Sequence, residues 1–244
     1  GKKLIASNFK IEQFDDLAKL EQLAKQYDAT QQLKHIGGNA LLALELALLR
    51  AFAKLQQVEL WQFLAEKKPK RIPLPLGNAI GGGKHSIQHI KPDFQEFLLL
   101  PKAKSFAEAQ FINMQAYKQI GVMLKKSKVK FTYTDENAYC PQLDNVAVLR
   151  LLDSVKEFIN KNYSIELSLG LDIAASSLWN GYYYCYDNFP GKAKLNEKQQ
   201  LSFVNTITKQ FNLFYIEDAF AEDSFDYFAL LLQETKNKAV VCGD

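Results

Sequence analysis

The sequence predicts an α/β protein in two parts, a helical stretch over residues 1–70 and part of a parallel-stranded barrel over residues 71–244. Three observations carry this. Apolar runs at 165–172, 213–218 and 239–243 are separated by helix-length amphipathic patterns, the signature of parallel βα units. Before residue 68 the apolar spacing is helical throughout. Roughly 170 residues follow residue 70 and hold five candidate strands, whereas a closed (β/α)8 barrel has eight strands in about 250 residues. The run AVVCGD stops where a strand would finish, and the chain starts at Gly1 rather than Met. The expectation is a barrel cut on its C-terminal side.

In order along the chain, residues 14–27 place Leu17, Leu20, Leu23 and Ala24 at helical spacing. Gly37-Gly38 breaks that pattern, and Asn39 is placed to cap a long helix running to about residue 68. The apolar positions of that helix cover more than one face, so burial on several sides is expected. Lys67-Lys68-Pro69-Lys70-Arg71 then reads as an exposed linker and the boundary between the two parts, rather than as a nucleic-acid patch. Strands are predicted at 72–80 and 94–100 with no helix between them. Helices are predicted at 106–125, 147–160, 197–211 and 224–234. The first of these carries Phe111, Met114, Tyr117, Ile120 and Leu124 and should cover the barrel. Tyr182-Tyr183-Tyr184-Cys185-Tyr186 reads as a short strand or hairpin arm used for packing.

Composition excludes several classes. Hydrophobic residues are 48% and charged residues 23%, ordinary for a globular chain. A net charge of +3 is too balanced to argue for nucleic acid. Cys140, Cys185 and Cys242 form no C-x-x-C pair, which disfavours a zinc ribbon or disulfide framework and fits a reducing compartment. The start GKKLIASNFK has no apolar signal-peptide region. The most apolar run, 40–49, contains Glu45 and stops at Arg50, short of the about 20 residues of a bilayer span. No membrane span is expected, and a cytoplasmic location is.

The three C-terminal apolar runs each finish on acids: LSLGLD at Asp172, LFYIED at Glu217 and Asp218, and AVVCGD at Asp244. Strand C-termini carry the sites of parallel α/β sheets. Asp172, Glu217 and Asp244 are therefore expected to converge, and three hard oxygen ligands suit Mg²⁺. The alternative is that such acids cap the following helices. Glu96 in DFQEFLLLP and Glu136 in YTDENAYCP are two further acids at predicted loops or strand ends, and a carboxylate pair near a metal could act as a general acid and its partner. The loop GNAIGGGKHS is not a P-loop, since Asn78 stands at the first glycine and His85 follows Lys84. His85 and His89 are four apart, but no third zinc ligand is evident.

Taken together and in order, GGNALLALELALLRA, PLPLGNAIGGGKH, DFQEFLLLPKAKSFAEA, TDENAYCPQLDN, GLDIAAS, YIEDAFAEDSFDYFALL and VVCGD resemble the enolase family. The resemblance runs from about residue 37 to the last residue. It implies a small α+β domain, of which residues 1–70 would be the helical remnant, followed by an enolase-type TIM barrel that opens ββαα before its βα units. It implies Asp172, Glu217 and Asp244 as Mg²⁺ ligands and Glu136 as the proton donor. It implies Glu96 as a further catalytic residue, Glu96 and His85 around the substrate and a second metal, and Gln95 beside the substrate, with Glu217 and Asp244 also facing it. It further implies reversible dehydration of 2-phosphoglycerate to phosphoenolpyruvate, and a homodimer. Two departures stand out. The family's two glycines after the acid are replaced by Asn137 and Ala138, and no lysine can be assigned as the base by motif. The chain alone is therefore expected to be inactive. A non-catalytic enolase-like binding or assembly protein is the alternative reading.

Overall fold

A computed structural model describes residues 14–30, 33–65, 67, 70, 72–188, 192–236 and 238–244. The sequence readings at the amino terminus (1–10) and at Lys68, Pro69 and Arg71 lie outside the described residues. By its internal contacts the chain divides into two units, Gly1–Ile72 and Pro73–Asp244.

In the first unit a 3-10 turn at Phe14–Asp16 leads into α1, Leu17–Tyr27; α2 spans Gly38–Leu55 and α3 spans Leu60–Leu64. Leu17, Leu20 and Leu49 form a small core with Leu41, Leu48 and Phe52 against it. Two expectations change here. Gly37 rather than Asn39 caps α2, and among the described residues Asn39 Oδ1 accepts only from its neighbour Ala40 N. The predicted long helix also stops at Gln56. Gln57 takes φ +56, Val58 N donates to Ala53 O and Gln57 N donates to Lys54 O. That pair of bonds is a Schellman end, usually signalled by a glycine that this sequence lacks. Nor is α2 buried on several sides, since Leu42, Leu44 and Leu46 are exposed.

The second unit is built on a seven-stranded mixed sheet. Its strands are β1 Gly77–Gly81, β2 Glu96–Pro101, β3 Phe131–Tyr133, β4 Tyr139–Pro141, β5 Leu167–Asp172, β8 Tyr215–Glu217 and β9 Val240–Cys242. They lie in the order β3-β4-β1-β2-β5-β8-β9. β6 Tyr184–Tyr186 and β7 Ala193–Leu195 make a separate antiparallel hairpin from the tyrosine run. β1 pairs antiparallel with β2, and β2 antiparallel with β5; β5, β8 and β9 run parallel. The helices are α4 Phe106–Lys126, α5 Asn145–Tyr163, α6 Glu197–Phe211 and α7 Phe225–Thr235. Among the described residues the sheet has two ends, β3 and β9. The predicted strand 72–80 begins only at Gly77, because Pro73 and Pro75 have no N–H to give a ladder.

Why these segments fold so is plain from their faces. Phe97, Leu99, Leu169 and Leu171 lie on one side of β2 and β5, in one core with Ile112, Ile120 and Leu124 of α4 and Val148, Leu152 and Val155 of α5. The other side pairs Glu96 with Asp172, Leu98 with Gly170 and Leu100 with Ser168. A Cβ on Gly170 would stand 2.9 Å from Tyr215 Cβ and 3.1 Å from Leu100 Cδ1, so this side is closely filled too. Side-chain caps start the helices: Ser105 accepts from Glu108 N, Asp144 from Ala147 N, and Asn196 forms a reciprocal capping box with Gln199.

Candidate active site

The register of three strands lines up the acids. Glu96 on β2 is the direct neighbour of Asp172 on β5, and Asp172 is the direct neighbour of Glu217 on β8. Directly opposed residues project to the same face with Cβ atoms about 5 Å apart. Three carboxylates thus stand in one row, and among the described residues none of them makes an ion pair. Asp172 is buried, and Glu96 and Glu217 are half-buried.

Electrostatics follow from that crowding. Burial, then the charges of Glu136 and Asp172, push Glu96 up to about 7. Burial also raises Asp172; the N–H of Ala174 and the Gln95 amide act against it, and Asp218 and Asp244 act with it. Glu217 is raised by burial and by Asp172, opposed by the Tyr215 hydroxyl. Gln95 Nε2 donates to Asp172 Oδ2 at 3.1 Å and Ala174 N to Oδ1 at 2.9 Å, so both oxygens have partners.

Asp244 is exposed, and its backbone N donates to Asp218 Oδ1 at 3.0 Å. Asp218 itself sits at φ +45, with its N–H on Cys242 O and its carbonyl receiving Ala175 N. One left-handed residue therefore ties the ends of β8 and β9 to the loop after β5. The sequence reading noted Asp218 but gave it no role, because its part is played mainly by the backbone.

On the other flank, β3 and β4 form a hairpin whose loop carries Glu136. Thr134 N donates to Ala138 O, Asn137 N to Thr134 O and Ala138 N to Thr134 Oγ1, and Tyr117 Oη on α4 donates to Asn137 O at 2.7 Å. Glu136 Oε2 accepts from Asn78 Nδ2 at 3.0 Å. His85, in the glycine-rich loop after β1, lies 2.8 Å through Nδ1 from Asp135 Oδ1. Burial draws the His85 pKa down, but the Asp135 hydrogen bond and the charges of Asp135, Glu136 and Glu96 more than offset it, so the net shift is upward. That loop is clasped by Lys91, whose Nζ donates to Gly83 O and Ser86 O. Asn145 Oδ1 receives the N–H groups of Asp93 and Phe94 on the approach to β2. His89 is exposed.

Among the described residues, the set of three whose candidate ligand atoms all lie within 4.8 Å of one another is His85, Glu96 and Glu136, rather than Asp172, Glu217 and Asp244. The physical reason is visible above. Asp172 is engaged by Gln95 and Ala174, and exposed Asp244 lies two residues past Cys242, the β9 residue opposite Glu217. The structure thus places Glu96, Gln95, Asp172 and Glu217 in and beside one row, and His85 with Glu136 next to its Glu96 end. Asn78, Tyr117 and Asp135, which the sequence reading did not assign to the site, hold the Glu136 loop. Their signal is cross-chain contact, invisible to spacing.

The shift at Glu96 makes a prediction. Its folded pKa lies above the ordinary 4.5. The ionised form therefore burdens the fold above about pH 7, and the burden vanishes as pH falls through 7 towards 4.5. Glu96→Gln should stabilise the cation-free chain at pH 8. The gain should be on the order of 1 kcal/mol, after discounting for the half-exposed setting. Parent and variant should converge near pH 4.5 in urea-unfolding midpoints; an equal gap at both pH values would refute the assignment.

Residues 69–244 match the family model described as "Enolase, C-terminal TIM barrel domain". Curated relatives named enolase include that of Pyrobaculum aerophilum, 34% identical over 223 residues, which are 90% of this chain and 52% of the relative. That of Archaeoglobus fulgidus is 30% identical over 230 residues, 94% of this chain and 56% of the relative. That of Ehrlichia chaffeensis is 31% identical over 229 residues, 93% and 53% respectively. The chain spans about half the length of the curated relatives it matches.

Proposed function

The chain belongs to the enolase family, and on that premise we propose that its protein dehydrates 2-phosphoglycerate reversibly to phosphoenolpyruvate, with Glu136 as the proton donor. The observation that carries this reading is the row of carboxylates Glu96, Asp172 and Glu217 across adjacent strands, with Glu136 and His85 closing one end. An uncompensated row of acids on a closely packed face suits a divalent cation and a substrate whose reaction builds negative charge.

In this reading Asp172, Glu217 and Asp244 would hold Mg²⁺, an ion that their hard carboxylate oxygens suit. The bound cation would supply positive charge to the substrate carboxylate, making the C2 proton removable. The residues of the chain act around it. Gln95 orients Asp172 through Oδ2. Glu96 and His85 face the leaving group beside Glu136. After the C2 proton has gone to a base, the C3–O bond breaks, and Glu136 gives its proton to the departing hydroxyl, which leaves as water.

The replacement of two family glycines by Asn137 and Ala138 does not favour the non-catalytic alternative. Asn137 takes φ +64, and asparagine is, after glycine, among the residues most at ease there. Ala138 is buried with an ordinary φ, its N–H on Thr134 Oγ1. Both letters thus suit the backbone the loop adopts here.

Residues 1–70 are proposed as the helical part of the family's N-terminal domain and 71–244 as the first part of its barrel, in a cytoplasmic homodimer. No helix among the described residues is long and apolar enough to cross a membrane.

The test is made on the product of the complete coding sequence. Phosphoenolpyruvate absorbance should rise with 2-phosphoglycerate and Mg²⁺, vanish with a chelator and return with added Mg²⁺. Residues 1–244 alone, having no lysine that the family pattern assigns as base, should form none. An inactive complete product defeats the reading.

A further inference from the structure

We propose that Asn78 is a positioning residue for Glu136, fixing which oxygen of that carboxyl carries the proton it delivers. The inference rests on the reading of Glu136 as the acid and goes beyond it. Asn78 is a side chain on β1 that engages the carboxylate itself, with Nδ2 donating to Glu136 Oε2 at 3.0 Å. Glu96 also hydrogen-bonds the Glu136 carboxyl, whereas Tyr117 holds the Asn137 carbonyl, Thr134 the Ala138 N–H, and His85 the Asp135 side chain.

β1 is irregular where this contact is made. Gly77 and Asn78 pair with Leu99 and Leu98, but Ile80 and Gly81 pair with Phe97 and Glu96, leaving Ala79 as an extra residue. Such a bulge re-aims side chains and is common beside active sites. Asn78, opposite Leu98, shares the sheet face of Glu96, which lies two residues from Leu98 on β2. The residue that β1 places directly opposite Glu96 is Gly81, with no side chain to intrude. A regular strand would bring Ile80 opposite Glu96 instead.

The amide is held in this sense at a cost. Asn78 Oδ1 is buried and has no hydrogen-bond partner among the described residues. A fold that leaves an acceptor unsatisfied beside a made donor contact spends stability to keep the donor on Glu136. The chemistry gives a reason. A neutral carboxyl has one proton, and an N–H pointed at Oε2 makes that oxygen the acceptor, so Oε1 carries the hydrogen. Asparagine can do this; aspartate would repel Glu136, and alanine would leave the acid free to turn.

The experiment separates two halves of the reaction in the complete gene product. Exchange of the C2 hydrogen of 2-phosphoglycerate with D2O needs the base and not the acid, whereas dehydration needs both. Asn78→Ala should lower kcat for dehydration about 10- to 100-fold, the cost of a misplaced catalytic group. KM should change little, and C2 exchange should stay near the parental rate. Unchanged kcat, or equal loss of exchange and dehydration, overturns the proposal. A parent that neither exchanges nor dehydrates defeats the enolase reading instead. The contact is then decided on residues 1–244 by NMR: Glu136→Gln should shift the Asn78 side-chain amide protons, and resonances that do not move overturn it. The same NMR measurement decides the matter where Asn78→Ala fails to fold.

Discussion

Glu136→Gln in the complete gene product should lower the rate of phosphoenolpyruvate formation about 10²- to 10⁴-fold, the usual range for a lost general acid. Glutamine keeps the shape and can still face Asn78, but it has no transferable proton at any working pH. The loop is secured by bonds that glutamine does not touch, from Tyr117 to Asn137 O and from Thr134 to Ala138. Folding should therefore survive, and circular dichroism and the unfolding midpoint should match the parent. Steady-state kinetics by phosphoenolpyruvate absorbance decide the matter. A loss of less than tenfold would show that the departing hydroxyl takes its proton from another group, and the role given to Glu136 would fall.

Gly82→Ala should be the most damaging substitution for the fold among the loop glycines. A Cβ there would lie 2.2 Å from Pro92 O and 2.7 Å from Phe94 O, both backbone atoms. The neighbouring chain cannot retreat cheaply, because Gly82 N donates to Gln95 O at 3.0 Å and Gly83 N to Pro92 O at 2.9 Å. Relief requires parting the two segments that lead to His85 and to Glu96. Overpacking of this kind costs about 3 kcal/mol. For a chain of this length that is a fall of roughly 6–12 °C in Tm. At Gly81 the Cβ would meet Thr134 Cγ2, the end of a side chain, at 2.7 Å, so Gly81→Ala should cost less. Gly38→Ala, with nothing within 4 Å, should be neutral or slightly stabilising. Thermal unfolding of the three variants gives the order; a Gly82→Ala chain as stable as the parent would contradict the close approach.

Particular elements show what the sequence disclosed. The runs 165–172, 213–218 and 239–243 announced β5, β8 and β9 because their neighbours are amphipathic helices and their apolar content is continuous. The row Glu96, Asp172 and Glu217 comes from β2, β5 and β8 lying in register, whereas the expected third acid, Asp244, falls two residues past Cys242, the β9 residue opposite Glu217. The hairpin bearing Glu136 reads in sequence only as loop or strand ends, since β3 and β4 are three residues each and Tyr133 is exposed. Its pairing depends on β1 and α4, which lie far away in sequence. The end of α2 was missed because Gln57 adopts a conformation that the letter does not advertise. Asn78 needed the bulge at Ala79 and a partner 58 residues away before it meant anything. Asp172, Glu217 and Asp244 were picked out by their position at strand ends; Glu136, Glu96, Gln95 and His85 took their roles from family resemblance.

Asn137 bears on how distant relatives of this chain are to be found. A pattern that insists on two glycines behind the acid would pass over it, although the peptide there turns with the hand a glycine gives. Asparagine adopts this left-handed conformation at little steric cost, so the torsion can be met by more than one symbol. Searches framed by backbone handedness, with asparagine admitted, should recover sequences that letter-matching discards.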